Sequence, residues 1–308
     1  MTIINNVEAF RCEPNVATMG FFDGVHLGHA YLVRKMIEKA HQENKKSVVV
    51  TFDQHPRIVL QQDFQPKLLT SFEERISLLA RLGCDYVVVL PFTKRLAQFS
   101  AKDFLRDVLR DKINTQVLVV GHDHRFGRYR EDSFAKYSEE AEQLGMSVVR
   151  TDALQASGMT VSSSAIRHEL ERGNVEKANA MLGHSFLIDG TVVDGQKIGR
   201  KMNFPTANVA LKEPLKILPA NGVYSAKIHV KGKDYDGMLN VGIRPTVDGR
   251  ADDTTVECHI FDFDDNVYGE EINVYPLNFV REERKFESID ALAAQLQKDK
   301  EHVLRLLS

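Results

Sequence analysis

Residues 16–29 read Val-Ala-Thr-Met-Gly-Phe-Phe-Asp-Gly-Val-His-Leu-Gly-His. A short apolar run stops at a glycine, and a helix should begin where the two histidines flank a further glycine. Such a strand-to-helix corner gathers free backbone N–H groups and the positive end of a helix dipole at one spot. His26 and His29, three residues apart, then project from one side of the first turn as donors to an anion. An isolated H-x-G-H fits a plain turn with two solvated histidines equally well; the flanking Phe-Asp-Gly favours a phosphate site.

The corner opens a longer pattern. Apolar runs at residues 16–19, 47–52, 85–90, 117–121 and 146–150 alternate with amphipathic stretches, of which 72–82, with Ser71 as its cap, is the clearest. Continuous valine-rich strands separated by helices predict a parallel sheet covered on both faces, a Rossmann-like α/β domain. Ligands of such sheets bind at the carboxyl ends of the strands. The unusual polar clusters, residues 20–29, 51–56 and 121–128, all lie at such ends.

Composition removes other classes. A chain of 308 residues implies two domains. A net charge of −3 and no long basic block argue against nucleic-acid binding. Cys12, Cys84 and Cys258 are odd in number and far apart, which predicts reduced cysteines and a cytoplasmic protein. No apolar stretch is long enough to span a membrane, and the first residues carry no export pattern.

After Gly183 the pattern changes. Short alternating runs at residues 223–230, 235–241, 254–261 and 271–279 predict an antiparallel sheet or small barrel. Two short helices, at Ser162–Arg167 and about 175–182, precede the change. A terminal helix capped by Ser288 follows it, with Ile289, Leu292, Leu296, Val303 and Leu307 on one stripe. The expected division is residues 1–184 and 185–308.

Further candidates stand on the loops of the first half. His55 and Pro56 close the run Thr-Phe-Asp-Gln-His-Pro. Within residues 121–127, Asp123 suits a ribose hydroxyl or base edge, Arg125 a phosphate, and Phe126 a ring stack or simple packing. Ser163 and Ser164 with Arg167 one turn later bring hydroxyls, helix N–H groups and a guanidinium toward one anion.

In the second half, Gly195 and Gly199 make a loop that phosphates can approach. Thr206 and Asn208, at i and i+2, present hard oxygens of the kind magnesium takes in small number. Glu257 faces opposite to Val256, Cys258 and Ile260 on its strand, alongside His259. There it can accept a proton from an attacking hydroxyl or sit solvated.

The motifs G-x-F-D-G-V-H-x-G-H, T-F-D-x-H-P, G-x-D-x-R-F-G and S-S-x-x-I-R resemble, in that order, the adenylyltransferase half of the bacterial bifunctional riboflavin kinase/FAD synthetases. The elements F-P-T-A-N, L-P-x-x-G-V-Y, N-V-G-x-R-P-T and V-E-x-H-I-F-D-F are similar to riboflavin kinases. The resemblance spans nearly the whole chain. It implies a nucleotidyltransferase domain followed by a six-stranded antiparallel barrel with a terminal helix. It implies riboflavin, FMN, FAD and ATP as substrates and products, with Mg2+, and a monomer or weak homo-oligomer. By it Gly20, Phe22, Asp23, His26, Gly28, His29, Ser163, Ser164 and Arg167 handle the ATP of adenylylation, the histidines as phosphate donors and not as a base or metal ligands. His55, Pro56, Asp123, Arg125 and Phe126 meet the flavin. In the barrel, Gly195, Gly199 and Arg200 approach ATP, Thr206 and Asn208 hold magnesium, Glu257 is the base, and Arg281 meets the flavin. Family members often carry asparagine at Phe21, proline at Gln54, phenylalanine at His124 and leucine-glycine at Met202-Asn203. An adenylyl- or cytidylyltransferase with another acceptor lacks a reason for the second half. A flavin carrier or RNA-binding module needs no base or magnesium ligands.

Overall fold

In the computed structural model the described residues are 1–61, 65–122, 134–152, 161–195, 204–244 and 253–308. They pack as two compact units, one of residues 1–66 with 72–161, the other of residues 67–71 with 162–308.

The first unit contains β1 (Thr2–Ile4), β2 (Asn15–Met19), α1 (Leu27–Gln42), β3 (Lys46–Phe52), α2 (Pro56–Leu60), α3 (Phe72–Arg81) and β4 (Tyr86–Leu90). The turn α4 (Ala101–Asp103) runs into a π-helix, Phe104–Arg110, and β5 (Thr115–Val120), α5 (Phe134–Gln143) and β6 (Ser147–Arg150) complete it. The sheet order is β1-β4-β3-β2-β5-β6, with every neighbouring pair parallel. Alternate residues of β2, β3, β4 and β5 enter opposite cores. Ala17, Met19, Val48, Val50, Val88 and Leu118 face one cluster. Val16, Val49, Val87, Val89, Val117 and Val119 face the other. With each fully buried valine or leucine contributing about 1.5–3 kcal/mol, both faces must be covered, which the helices do. Strand order reverses between β2 and β5, so the loop after β2 opens at the switch point. β1 carries no periodic signal in the sequence, since it has three residues and two of them are exposed.

The second unit contains α6 (Ser163–Glu171), α7 (Val175–Leu182), β7 (Ile188–Val193), β8 (Ala207–Leu211), β9 (Gly222–Val230), β10 (Lys233–Arg244), β11 (Asp253–Ile260), β12 (Glu271–Arg281) and α8 (Ile289–Leu307). Its six strands close into an antiparallel barrel, order β10-β11-β8-β7-β12-β9. Tyr224, Ala226, Ile228 and Val230, the alternating set of β9, are all fully buried. Closure removes both sheet edges. Phe204, Val223, Met238, Phe261 and Val303 form a separate cluster that seats α8 on the barrel. Helices α6 and α7 pack with this unit. Asn179 Nδ2 donates to Pro276 O at 3.0 Å and the Phe279 N–H to Glu176 at 3.1 Å, tying α7 to β12.

Candidate functional sites

The corner after β2 is wound tightly. Phe22 (φ 58°), Gly24 (φ 81°) and Val25 (φ 38°) all lie in the left-handed region, and the Val25 N–H donates to Phe22 O at 3.0 Å. A β-branched residue there is strained, and such strain collects at binding turns. His26 is the N-cap of α1, and its Nδ1 accepts from the His29 N–H at 3.3 Å. An accepting Nδ1 places the proton of a neutral ring on Nε2, so the cap makes His26 an N–H donor. The two imidazoles stack, with centroids 3.6 Å apart and 16° between planes. Burial, with the neighbouring His26 next, pushes His29 well below the ordinary histidine range. Its Nδ1 is buried without a hydrogen-bond partner among the described residues. Phe22 packs its edge on His29 at 5.2 Å. A Cβ at Gly28 would meet the His26 ring at 3.1 Å, so this position must stay small to keep the pair in place. A Cβ at Gly20 would likewise press the Phe22 ring at 3.2 Å. Asp23 is buried in the same turn.

The loop after β3 repeats the capping device. His55 caps α2, accepting from the Arg57 N–H at 3.2 Å, with Pro56 at the first helical position. Phe21 meets His55 edge-on at 4.8 Å, which brings the two loops together. Ser162 caps α6 by accepting from the Ala165 N–H at 3.2 Å, and this places Ser163 and Ser164 in the first turn. Arg167 Nε donates to Lys67 O at 2.6 Å, holding residues 67–71 onto the second unit. Asp123, Arg125, Phe126, Gly199 and Arg200 lie outside the described residues.

On the barrel, strand register gathers the second set. Glu257 of β11 is paired with Asn208 of β8 on one side and with Asn240 of β10 on the other. Directly opposite residues share a face, so three polar side chains line one cross-strand row. Asn240 pairs in turn with Val223, and Val223 with Arg281, so Arg281 stands on the same row two strands from Asn240. Thr206 Oγ1 donates to Glu257 Oε2 at 3.3 Å. His259 Nδ1 donates to Pro205 O at 2.8 Å and so holds the backbone just before Thr206. A Cβ at Gly195 would lie 2.1 Å from Asn208 Nδ2, so the glycine lets the Asn208 side chain occupy that space. A cavity of about 720 Å3 borders Thr206 and is lined further by Val192, Cys258, Phe263, Asp264 and Tyr268. Arg281 is committed elsewhere as well: its Nε and Nη2 both donate to Asp299 Oδ2 of α8 at 2.8 Å.

Residues 10–165 match the family described as FAD synthetase, and residues 182–307 match the family described as riboflavin kinase. A curated relative from Bacillus subtilis, a bifunctional riboflavin kinase/FMN adenylyltransferase, is 36% identical over 96% of this chain and 93% of its own. The chain belongs to the bifunctional riboflavin kinase/FMN adenylyltransferase family. The relative of the same description from Escherichia coli K12 is 35% identical over 96% of this chain and 94% of its own. A crystal structure from Streptococcus pneumoniae, described as a macrolide-efflux protein, is 30% identical, with a TM-score of 0.86 and 97% coverage of both chains. No helix among the described residues here is long and apolar enough to cross a membrane.

Within this bifunctional family member, three residues escape a reading of motifs. Asn240 opens the N-V-G element, yet its place beside Glu257 follows only from the β10–β11 register. Asp299 lies on the stripe-bearing terminal helix, where a buried acid leaves no periodic trace. Arg75 occupies an amphipathic pattern as an ordinary polar residue but is fully buried.

Proposed function

We propose that this bifunctional riboflavin kinase and FMN adenylyltransferase divides its two reactions between residues 1–184 and 185–308. In the first reaction riboflavin takes the γ-phosphoryl group of ATP on the barrel, giving FMN and ADP. In the second the FMN phosphate attacks the α-phosphorus of a second ATP, giving FAD and pyrophosphate. The row Asn208–Glu257–Asn240, with the Thr206 hydroxyl hydrogen-bonded to Glu257, carries the kinase reading.

Glu257 accepts the proton of the flavin's attacking hydroxyl; the Thr206 hydroxyl, 3.3 Å away, orients its carboxylate. Among the described residues no group of three or more His, Cys, Asp or Glu could cage a metal, whereas Thr206 and Asn208 offer a few hard oxygens. That donor set suits Mg2+, which keeps waters and phosphate ligands. When bound, the ion offsets charge on the transferred phosphoryl group. Gly195, Gly199 and Arg200 are assigned to the ATP phosphates, and Arg281 to the flavin.

Adenylylation needs no base, because the FMN phosphate is already an anion. Positioning and charge stabilisation supply the rate. His26 donates from Nε2, and His29, kept neutral by burial, donates beside it. Gly20, Phe22, Asp23 and Gly28 shape the corner around the ATP phosphates, and Ser163, Ser164 and Arg167 add an anion-binding helix start. His55, Pro56, Asp123, Arg125 and Phe126 take the flavin side. The unpaired cysteines Cys12, Cys84 and Cys258 suit a reducing cytoplasm, and we take the enzyme to act there as a monomer or weak homo-oligomer.

Incubating the purified chain with MgATP and either riboflavin or FMN, then separating the flavins, tests this reading. FMN and FAD should form from riboflavin, and FAD from FMN. Riboflavin left unchanged by folded protein would overturn the assignment of the barrel, and FMN left unchanged that of the first domain.

A further inference from the structure

Arg75, on α3, is 1% exposed and among the described residues heads the fully buried side chains in size. Burying a guanidinium costs stability unless its donors are paired, and here the pairing is incomplete. Nη2 donates to Phe52 O at 2.7 Å, but Nε is buried with no hydrogen-bond partner among the described residues. Burial lowers the guanidinium to about 10, while the carboxylates of Asp23, Asp53 and Glu73 act the other way. A methionine or leucine would fill the same volume without these costs.

What the guanidinium does contact is the site. Its Cζ lies 3.8 Å from the centroid of the Phe21 ring, a close cation–π stack, and the Phe21 ring meets His55 edge-on at 4.8 Å. Thr51 Oγ1 also donates to Phe21 O at 3.3 Å. One buried cation thus ties together the end of β3, through Phe52 O, the loop after β2, through Phe21, and the cap of α2, through His55.

We propose that Arg75 is a positioning residue for adenylylation, holding the Phe21 ring and through it His55 in the arrangement that receives FMN. This rests on the reading of His55 and Pro56 as flavin contacts. As a positioning residue Arg75 touches neither substrate, so its removal should alter the fit of FMN more than that of ATP or the chemical step.

The test is steady-state conversion of FMN to FAD by the full chain and by Arg75→Met, Arg75→Lys, Phe21→Leu and the Arg75→Met/Phe21→Leu double variant. Riboflavin phosphorylation by the same samples reports an intact barrel. Loss of a desolvated cation–π contact should raise the KM for FMN about tenfold, with kcat and the KM for ATP near wild-type values. Lysine should not rescue, because an ammonium lacks the planar face that stacks. The double variant should be no worse than the worse single one, since both remove the same contact. An unchanged KM for FMN in Phe21→Leu, additive effects, rescue by lysine, or a lowered melting temperature with unaltered kinetics would each overturn the proposal. If Arg75→Met fails to fold, Phe21→Leu, which keeps the cation, decides alone. Wild-type protein that makes no FAD would defeat the underlying reading; active wild type with unaffected variants would defeat only the role of Arg75.

Discussion

The imidazole of His26 lies face to face with that of His29, 3.6 Å between centroids, and the His29 N–H donates to His26 Nδ1. One contact therefore caps a helix, selects a tautomer and keeps the pair from carrying two charges. A proton on His26 Nδ1 would oppose the capping N–H, and a proton on His29 would be placed in a half-buried ring beside another imidazole.

This sets a pH dependence. The folded pKa of His29 is depressed, so the unfolded chain binds the proton first. The associated stability is complete above the unfolded value, about 6.5, and is lost as pH falls below it. Thermal unfolding of wild type and His29→Asn, followed at pH about 7.5 and about 5.5, should show a larger acid-induced drop in wild type. Parallel drops would remove His29 from the explanation.

Removing the His29 ring should cost adenylylation specifically. His29→Ala is expected to lower FAD formation from FMN by about two to three orders of magnitude, the loss seen when one donor to a developing charge is deleted. Riboflavin phosphorylation should continue at the wild-type rate. Equal loss of both steps in a folded variant contradicts the division of labour.

The converse holds at the barrel. Glu257→Gln keeps the size of the side chain and an oxygen within reach of Thr206 but cannot take a proton. FMN formation should fall by about 10²–10⁴ while FMN-to-FAD conversion persists. A quenched-flow assay showing a rapid chemical step in Glu257→Gln would eliminate the carboxylate as base.

Gly195→Ala probes the cradle around Asn208. The new methyl would lie 2.1 Å from Asn208 Nδ2, so the amide must turn away. Kinase activity should need about tenfold more magnesium for half-saturation, ~1.4 kcal/mol, with little change in melting temperature. An unchanged magnesium titration would separate Asn208 from the metal.

Asp299→Asn tests the link from the terminal helix to Arg281. Asp299 accepts two bonds from Arg281 and one from Gln295 Nε2 at 2.7 Å, with its side chain 4% exposed and that of Arg281 18% exposed. Breaking such a pair typically costs ~3–5 kcal/mol, and the residual solvation of Arg281 places the expected loss at the low end. Denaturant unfolding should register that loss, and the KM for riboflavin should rise as Arg281 loses its anchor. Full stability with an unchanged KM would show that Arg281 is placed by β12 alone.

The parallel sheet could be read directly from residues 16–150 because every central strand is a run of apolar residues, and burial on both faces demands such runs. The strand order could not, since β1 pairs with β4 across more than eighty residues without a local signal. In the second half four strands were legible by alternation, whereas β7 and β8 show no alternating run. Gly190, in β7, packs its Cα against the backbone of Ala210, a reason for glycine that no local pattern exposes. The Ser163–Arg167 motif was visible, but its helix packs with the barrel unit, a matter of long-range contacts through Ile166, Leu170 and α7.

By itself the chain's sequence determined the chemistry available: two histidines around a glycine at a strand-to-helix corner, hydroxyl and amide oxygens two residues apart, and a glutamate alternating out of its strand. Those properties depend on residues near one another in the chain, where backbone period and capping decide geometry. Only the tertiary structure decided which distant groups act together. Glu257 meets Asn208, Asn240 and the row of Arg281 through barrel register, and Arg75 reaches Phe21 because α3 closes over the sheet. Register and helix packing come from burying apolar surface across the whole fold, so no local stretch encodes them.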